Sequence, residues 1–418
     1  MKINPNIQEL KPSATLAINE KVKALRSQGT RVVHFGFGQS PFPIYEDIVA
    51  ALKKEAANNN YLPSLGLLEL REAISSYLQK WHDLNYPSDT IFIGPGSKEL
   101  LYQTILILEG TFLIPQGSWV SYLPQIKARG GDFVILPTEA DSDYKLNAVT
   151  LASYCQSNPE IQKTVILNSP NNPTGAVYTS KELEGLAGVC REFGLVVLSD
   201  EIYSRISFNS ATAPSIATYY PERTFIFSGI SKIFSAGGYR CGFMAIPQDL
   251  VHLRSSFQSL FSETFSAVAS PVQYAALTAF RGSDGLDTYI KRNADILNLI
   301  GTYVYKELSA AGILCTKPKG AFYMMVDFSP CQQKLNGLNL DSSESLASYF
   351  LDQLGVALLP GSDFYFPSDR FIFRLAFVDF IGQDWPRTAA GEEGLSAIEI
   401  YSPKIVEGVA KLVGFCKS

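Results

Sequence analysis

Seven short apolar runs, rich in β-branched and aromatic residues, alternate with stretches of helical spacing between residues 90 and 246, and this alternation leaves few architectures open. The runs are TIFI (90–93), TFLI (111–114), FVIL (133–136), TVIL (164–167), LVVL (195–198), TFIF (224–227) and FMAI (243–246). SKELLYQTILILEG (97–110) and SKELEGLAGVCREFG (180–194) carry the helical spacing between them. Runs that are apolar throughout suit strands covered on both faces. They predict an α/β protein with a mostly parallel mixed sheet sandwiched by helices. From about residue 290 the pattern changes. A long helical segment, DTYIKRNADILNLIGTYVYKELSAAG (287–312), leads to GAFYMMVDF (320–328) and RFIFRLAFVDF (370–380), which predicts a second, smaller α+β domain. Residues 383–396, QDWPRTAAGEEGLS, read as a loop.

A chain of 418 residues suggests two or three domains, and 46% hydrophobic against 18% charged residues is ample for a buried core. The net charge of -5, with no basic run, speaks against a nucleic-acid surface. No apolar stretch approaches the length of a membrane span, and the start, MKINPNIQELKPS, lacks the apolar core of a signal peptide. We expect a soluble, cytoplasmic protein. Cys155, Cys190, Cys241, Cys315, Cys331 and Cys416 are scattered without a CxxC pair, which argues against a zinc site or a disulfide framework and makes them apolar filler. The three histidines, His34, His82 and His252, are far apart in sequence, so neither a metal site nor a Ser-His-Asp triad is expected.

Ligands of such sheets lie outside the carboxyl ends of the strands, so the residues after each run carry the functional information. TIFI is followed by GPGSKELL, in which Gly96, Ser97 and Lys98 open a helix. That is either an ordinary strand-to-helix turn or a phosphate site at a helix N-terminus. TVIL is followed by NSPNNPTG, a stiff turn in which Asn172 is placed to face a ligand. LVVL is followed by SDEIYSRI, where Asp200 and Tyr203 serve either a ligand or a helix cap with a packing tyrosine. TFIF is followed by SGISKIFSAGGYRCG, where Lys232 and Arg240 stand among small residues that let a backbone approach a ligand closely. Each element is weak alone. All four fall at one sheet edge, and together they ask for a ligand with a phosphate, an aldehyde and a basic ring nitrogen.

In order and spacing, NSPNNPTG, SDEIY and GISKIFSAGGYRCG resemble the pyridoxal-phosphate (PLP) enzymes of fold type I, specifically the class I/II aminotransferase family. The resemblance extends from FGFGQSPFP (35–43) to RLAF (374–377). It implies that Lys232 is the Schiff-base lysine, that Asp200 faces the pyridine nitrogen, and that Tyr203 and Asn172 face the ring's 3-oxygen. Arg240, Ser231 and the Gly96-Ser97-Lys98 turn would hold the phosphate, with Ser228 as a further candidate. Trp119, in GSWVSY, would stack on the ring, although core packing suits a tryptophan equally. Tyr61 resembles the tyrosine that reaches the phosphate of the neighbouring subunit, which implies a homodimer with a shared active site. Arg374 resembles the arginine that grips the substrate α-carboxylate, a bidentate match that lysine lacks, and Gly38 aligns as a backbone contact beside it. GAFY (320–323) and PGSDF (360–364) match small-domain segments that close on substrate.

The resemblance further implies an N-terminal segment, 1–45, that joins a small domain at 291–418, with a large PLP-binding domain at 46–290. There are departures. Many family members read GEPDF where this chain has GQSPF (38–42), with Gln39 and Pro41 at the acidic positions, and Cys241 stands where an aliphatic residue is usual. No motif supplies a second arginine for a distal carboxylate. The expected activity is transfer of an amino group between an L-amino acid and a 2-oxo acid by a ping-pong course. A PLP-dependent lyase, cyclase or β/γ-replacement enzyme is the alternative on the same residues. A ligand-sensing regulator stands further off, because only about 30 residues precede RVVHFGFG.

Overall fold

In the computed structural model, which describes residues 1–386 and 394–417, the seven apolar runs form one seven-stranded sheet. After a two-residue strand β1 (Val33–His34) come β2 (Ile91–Gly94), β3 (Thr111–Pro115), β4 (Phe133–Leu136), β5 (Lys163–Asn168), β6 (Val196–Asp200), β7 (Thr224–Gly229) and β8 (Gly242–Ala245). Strands β2 to β8 lie in the order β2-β8-β7-β6-β5-β3-β4. β8 is antiparallel to both neighbours, and every other pairing in the sheet is parallel.

The continuous apolar character of the runs follows from this placement. Side chains alternate between faces along a strand, and both faces are covered. In β2, Ile91 and Ile93 pack with the helices Leu68–His82 and Ser270–Arg281. Phe92 between them packs on the opposite side with the helices Ser97–Ile107 and Arg254–Ser262. Burying such a side chain contributes roughly 1.5–3 kcal/mol relative to leaving it in water.

The smaller sheet holds β9 (Leu314–Cys315), β10 (Tyr323–Asp327), β12 (Leu359–Pro360) and β13 (Ile372–Ala376), all antiparallel, in the order β12-β13-β10-β9. β1 pairs in parallel with β11 (Val356–Ala357), so the N-terminal segment is carried beside the C-terminal elements. The 27-residue helix Asp284–Ala310 runs from one core to the other. Its Leu286 and Ile290 pack with the large sheet, whereas Ile296, Leu297, Ile300, Val304 and Leu308 pack in the core around β10 and β13.

Two expectations are corrected. Of the stretch 383–396, residues 387–393 lie outside the described residues, and Gly394 opens the helix Gly394–Tyr401. Leu395, Ala397 and Ile398 favour that helix despite the glycines around them. Cys331 and Cys416 are joined as a disulfide across 85 residues of sequence, so these two are not filler. Chain folding brings together cysteines whose spacing gives no sign of pairing. Among the described residues, no helix is long and apolar enough to cross a membrane.

Candidate active site

Because β5, β6 and β7 run in parallel, their carboxyl ends share one edge, where Asn168 is opposite Asp200 and Asp200 opposite Phe227. The turns that follow carry Asn172, Tyr203 and Lys232. β8 runs the other way, so the residues before it, including Arg240, arrive at the same edge. One cavity there is lined by Lys98, Asp200, Lys232, Arg240 and Arg374, four cations against one acid. Ser97, Trp119, Asn172, Tyr203, Ser231 and Gly38 line it too. An anionic ligand is what such a charge balance favours.

Lys232 donates from Nζ to the Gly38 carbonyl over 2.7 Å. Burial, reinforced by the Arg374 and Arg240 charges and opposed by Asp200, lowers its pKa to about 8. A larger fraction is thus neutral amine near neutrality than an exposed lysine would supply. Asp200 lies on the floor. Its Oδ2 accepts from the Tyr122 hydroxyl at 2.7 Å, and its Oδ1 accepts from the Ile202 amide at 3.3 Å. Burial raises its pKa to about 6 in spite of these donors. The Asn168 amide donates to the Asp200 carbonyl, and the Asn168 side-chain oxygen accepts from the Asn172 amide N–H, each at 2.8 Å, which ties the two turns together.

Arg374 is 1% exposed. It donates to Asn172 Oδ1 at 3.1 Å and to the Gly36 carbonyl at 2.5 Å, yet its buried Nε has no partner among the described residues. A buried guanidinium N–H without an acceptor costs free energy until a ligand supplies one, and a carboxylate is the acceptor a guanidinium fork matches. At the other side, Gly96 adopts φ +96 immediately before the helix Ser97–Ile107. A Cβ there would fall 2.3 Å from Arg240 Nη2, so the turn and the guanidinium are in direct contact. Arg240 itself takes a left-handed backbone (φ 54) and is anchored on the Gly237 and Pro95 carbonyls at 3.0 and 3.1 Å. A glycine cradle, helix-end amides and an arginine suit a phosphate. A partly neutral lysine suits an aldehyde, and a buried carboxyl suits a ring nitrogen. The residues present therefore fit PLP.

Two residues expected at the cofactor, Ser228 and Gly96, do not line the cavity, although Gly96 abuts Arg240. Ser228 is buried and donates to the Glu201 carbonyl at 3.3 Å, so Ser231 is the lining serine next to the lysine. Tyr61 lies outside the cavity and is 96% exposed on the single chain. Sequence reasoning missed Tyr122 and the segment Ser13, Thr15 and Leu16, and gave Tyr323 only as part of the GAFY stretch; all of them line or support the site. Tyr122 had a signal, since it stands three residues after Trp119, and the two rings meet edge to face at 5.3 Å. The N-terminal segment had none, because its approach depends on the pairing of β1 with β11.

Residues 30–378 match the family model "Aminotransferase class I and II". An aspartate aminotransferase of Bacillus sp. (strain YM-2) is 35% identical over 372 residues, covering 87% of this chain and 92% of that one. A probable aspartate/prephenate aminotransferase of Aquifex aeolicus (strain VF5) is 34% identical, covering 86% and 91%. Among solved structures, an aspartate aminotransferase of Thermus thermophilus with maleate superposes with a TM-score of 0.85 at 24% identity, over 99% of this chain and all of that one. An aromatic aminotransferase of Pyrococcus horikoshii OT3 gives 0.79 at 27% identity, over 96% and 98%. With the cavity chemistry and the family match in agreement along the same residues, the chain belongs to the class I and II aminotransferases and is a pyridoxal-phosphate-dependent transaminating enzyme.

Proposed function

We propose that the enzyme exchanges an amino group between a dicarboxylic L-amino acid of the aspartate type and a 2-oxo acid. The observation that carries this reading is the pair of cations available for carboxylates in one cavity, Arg374 with its unpartnered Nε and Lys98. Arg374 takes the α-carboxylate. The Lys98 ammonium lies 5.2 Å from the Trp119 ring centroid, and burial together with the Arg240 charge lowers its pKa. Its backbone belongs to the phosphate turn, and its side chain is left for a distal carboxylate. The names of the relatives point to the same substrate class.

Asp200 would hold a protonated ring nitrogen, Tyr203 and Asn172 would bond the ring oxygen, and Gly96, Ser97, Ser231 and Arg240 would hold the phosphate. PLP, when bound, supplies an electron sink for the pair left by α-proton removal. Lys232, as a neutral amine, would take that α-proton and later give it back. The net reaction would convert the amino acid to its 2-oxo acid and pass the amino group to a second 2-oxo acid. Trp119, which lines the cavity, would cover one face of the ring. Residues 1–45 and 291–418 form the small domain side and 46–290 the large domain, a division supported by the two cores that share the helix Asp284–Ala310.

The enzyme works as a homodimer in which Tyr61, exposed on one chain, reaches the neighbour's phosphate. A two-fold partner would account for so bare a tyrosine. The test is a substrate panel followed spectroscopically without acceptor. Aspartate should yield one equivalent of oxo acid per site, and Lys98→Met should lower kcat/KM for aspartate far more than for alanine. Equal losses for the two amino acids would remove Lys98 from the distal site. Light scattering of the active enzyme should give the mass of two chains, and a single-chain mass would refute the shared site.

A further inference from the structure

The hydroxyls of Tyr203 and Tyr323 are 2.8 Å apart, both rings are buried, and they meet edge to face with centroids 5.7 Å apart. Tyr203 comes from the turn after β6, Tyr323 from the start of β10 in the smaller sheet. The Tyr323 hydroxyl is also 3.5 Å from the Gly38 carbonyl, the acceptor that Lys232 already occupies at 2.7 Å. Gly38 is pressed onto this hydroxyl, since a Cβ at 38 would lie 2.0 Å from Tyr323 Oη. The Tyr323 ring lies 4.8 Å from the Arg374 guanidinium carbon.

A phenol carries one proton. In the ligand-free chain Tyr203 can donate to Tyr323 while Tyr323 donates to Gly38. Once an anionic oxygen faces Tyr203, its proton is needed there, and the 2.8 Å contact survives only if Tyr323 donates to Tyr203. The bond Tyr323 gives up to Gly38 is at the distance limit and its acceptor keeps Lys232, so the reversal costs little. A hydroxyl that accepts a hydrogen bond is itself the stronger donor, because chained hydrogen bonds polarise one another.

We propose that Tyr323 is a positioning residue for Tyr203: its hydroxyl directs the single proton of Tyr203 toward the phenolic oxygen of the bound cofactor. The proposal rests on the reading above that Tyr203 faces that oxygen. The charged groups around the pair are Asp200 and Arg374, with the Lys232 ammonium 5.9 Å from the Tyr203 ring centroid, and Tyr323→Phe keeps all three in the chain.

The test uses the full-length chain and its Tyr323→Phe, Tyr203→Phe and doubly substituted forms. Tyr323→Phe keeps the ring against Arg374. Two readouts are taken: the dissociation constant for PLP from titration of the cofactor-free protein, and the pH midpoint of the visible absorption band of the loaded protein. Tyr323→Phe should weaken PLP binding by about three- to tenfold, the worth of one net hydrogen bond. It should also raise the pH midpoint, because a donor to the phenolic oxygen stabilises its anion. Added to Tyr203→Phe, it should change neither quantity, since it acts through the Tyr203 proton. Wild-type values for Tyr323→Phe, or independent effects that add in the double variant, overturn the proposal. Failure of the unsubstituted chain to bind PLP would instead defeat the parent reading.

Discussion

The Tyr122 hydroxyl donates to Asp200 Oδ2 over 2.7 Å, and both groups are buried at the carboxyl edge of the large sheet. This contact decides how readily Asp200 ionises. Burial raises its pKa from 3.8 to about 6, while the Tyr122 hydrogen bond pulls it back down.

A pH edge in cofactor loading follows. On its proposed role, Asp200 pairs with the protonated ring nitrogen as a carboxylate. Below about pH 6 the ligand-free site is protonated and PLP affinity should fall. Tyr122→Phe removes a bond that favours the charged form, so the edge should move to higher pH. Asp200→Asn should lose the edge altogether, and comparison with it cancels the titration of PLP itself. PLP titrations between pH 5 and 8 measure this, and an edge unmoved by Tyr122→Phe would count against the assignment.

Lys232 should leave a mark on stability as well as on chemistry. Its pKa falls from 10.5 in an exposed chain to about 8 in the fold. Between those values the unfolded chain holds a proton that the folded chain has released, so stability of the cofactor-free protein should rise with pH across the window. Below about pH 8 both states are protonated and the cost of burying the charge is present in full. Lys232→Met should therefore be more stable than the parent at pH 7, with the gap closing by about pH 10.5. Urea unfolding of the cofactor-free proteins at several pH values checks the trend, and a gap independent of pH would sink it. The same variant should give no pyridoxyl-labelled peptide after borohydride reduction in the presence of PLP, whereas the parent is labelled at Lys232.

How much of this was legible beforehand depended on whether a feature is local. The strands were readable because each run is apolar on both faces, as the packing of Ile91 and Ile93 against one core and Phe92 against the other requires. Asn172, Asp200, Lys232 and Arg240 were readable because a sheet edge collects whatever follows its strands. The GAFY stretch was readable as a whole, but the contact of Tyr323 with Tyr203 and the approach of the Ser13–Leu16 segment were not, since they depend on pairings between β10 and β13 and between β1 and β11 that no short window contains. Ser228 and Ser231 flank the end of β7 on similar terms, and only the path of the chain after Gly229 separates the cavity serine from the one bonded to Glu201.

Arg374 offers a clean separation of substrate from cofactor. Its partners are Asn172 and the Gly36 carbonyl, and its Nε has no acceptor among the described residues. Arg374→Ala should raise KM for the amino acid strongly while PLP still binds. Loss of a buried, charge-assisted pair costs about 2–5 kcal/mol. Steady-state kinetics beside a PLP titration read the two effects. Intact KM with lost PLP would make Arg374 a structural group instead.

The last prediction concerns the phosphate. Gly96 has φ +96, and a Cβ there would lie 2.3 Å from Arg240 Nη2. Alanine is strained in that backbone region, and it also has to push the guanidinium away from the turn. Arg240 is able to move, because it is exposed and, among the described residues, its side-chain hydrogen bonds go to the Gly237 and Pro95 carbonyls. Gly96→Ala should therefore leave the protein folded but displace the group proposed to neutralise the phosphate. The loss should be specific to phosphate. Affinity for PLP should drop by about tenfold or more, the scale of one charge-assisted hydrogen bond, whereas affinity for pyridoxal, which lacks the phosphate, should change little. Calorimetric titration of both compounds into the parent and the variant distinguishes this from general damage. Equal losses for the two would show that Gly96 serves the shape of the turn and that Arg240 does not read the phosphate.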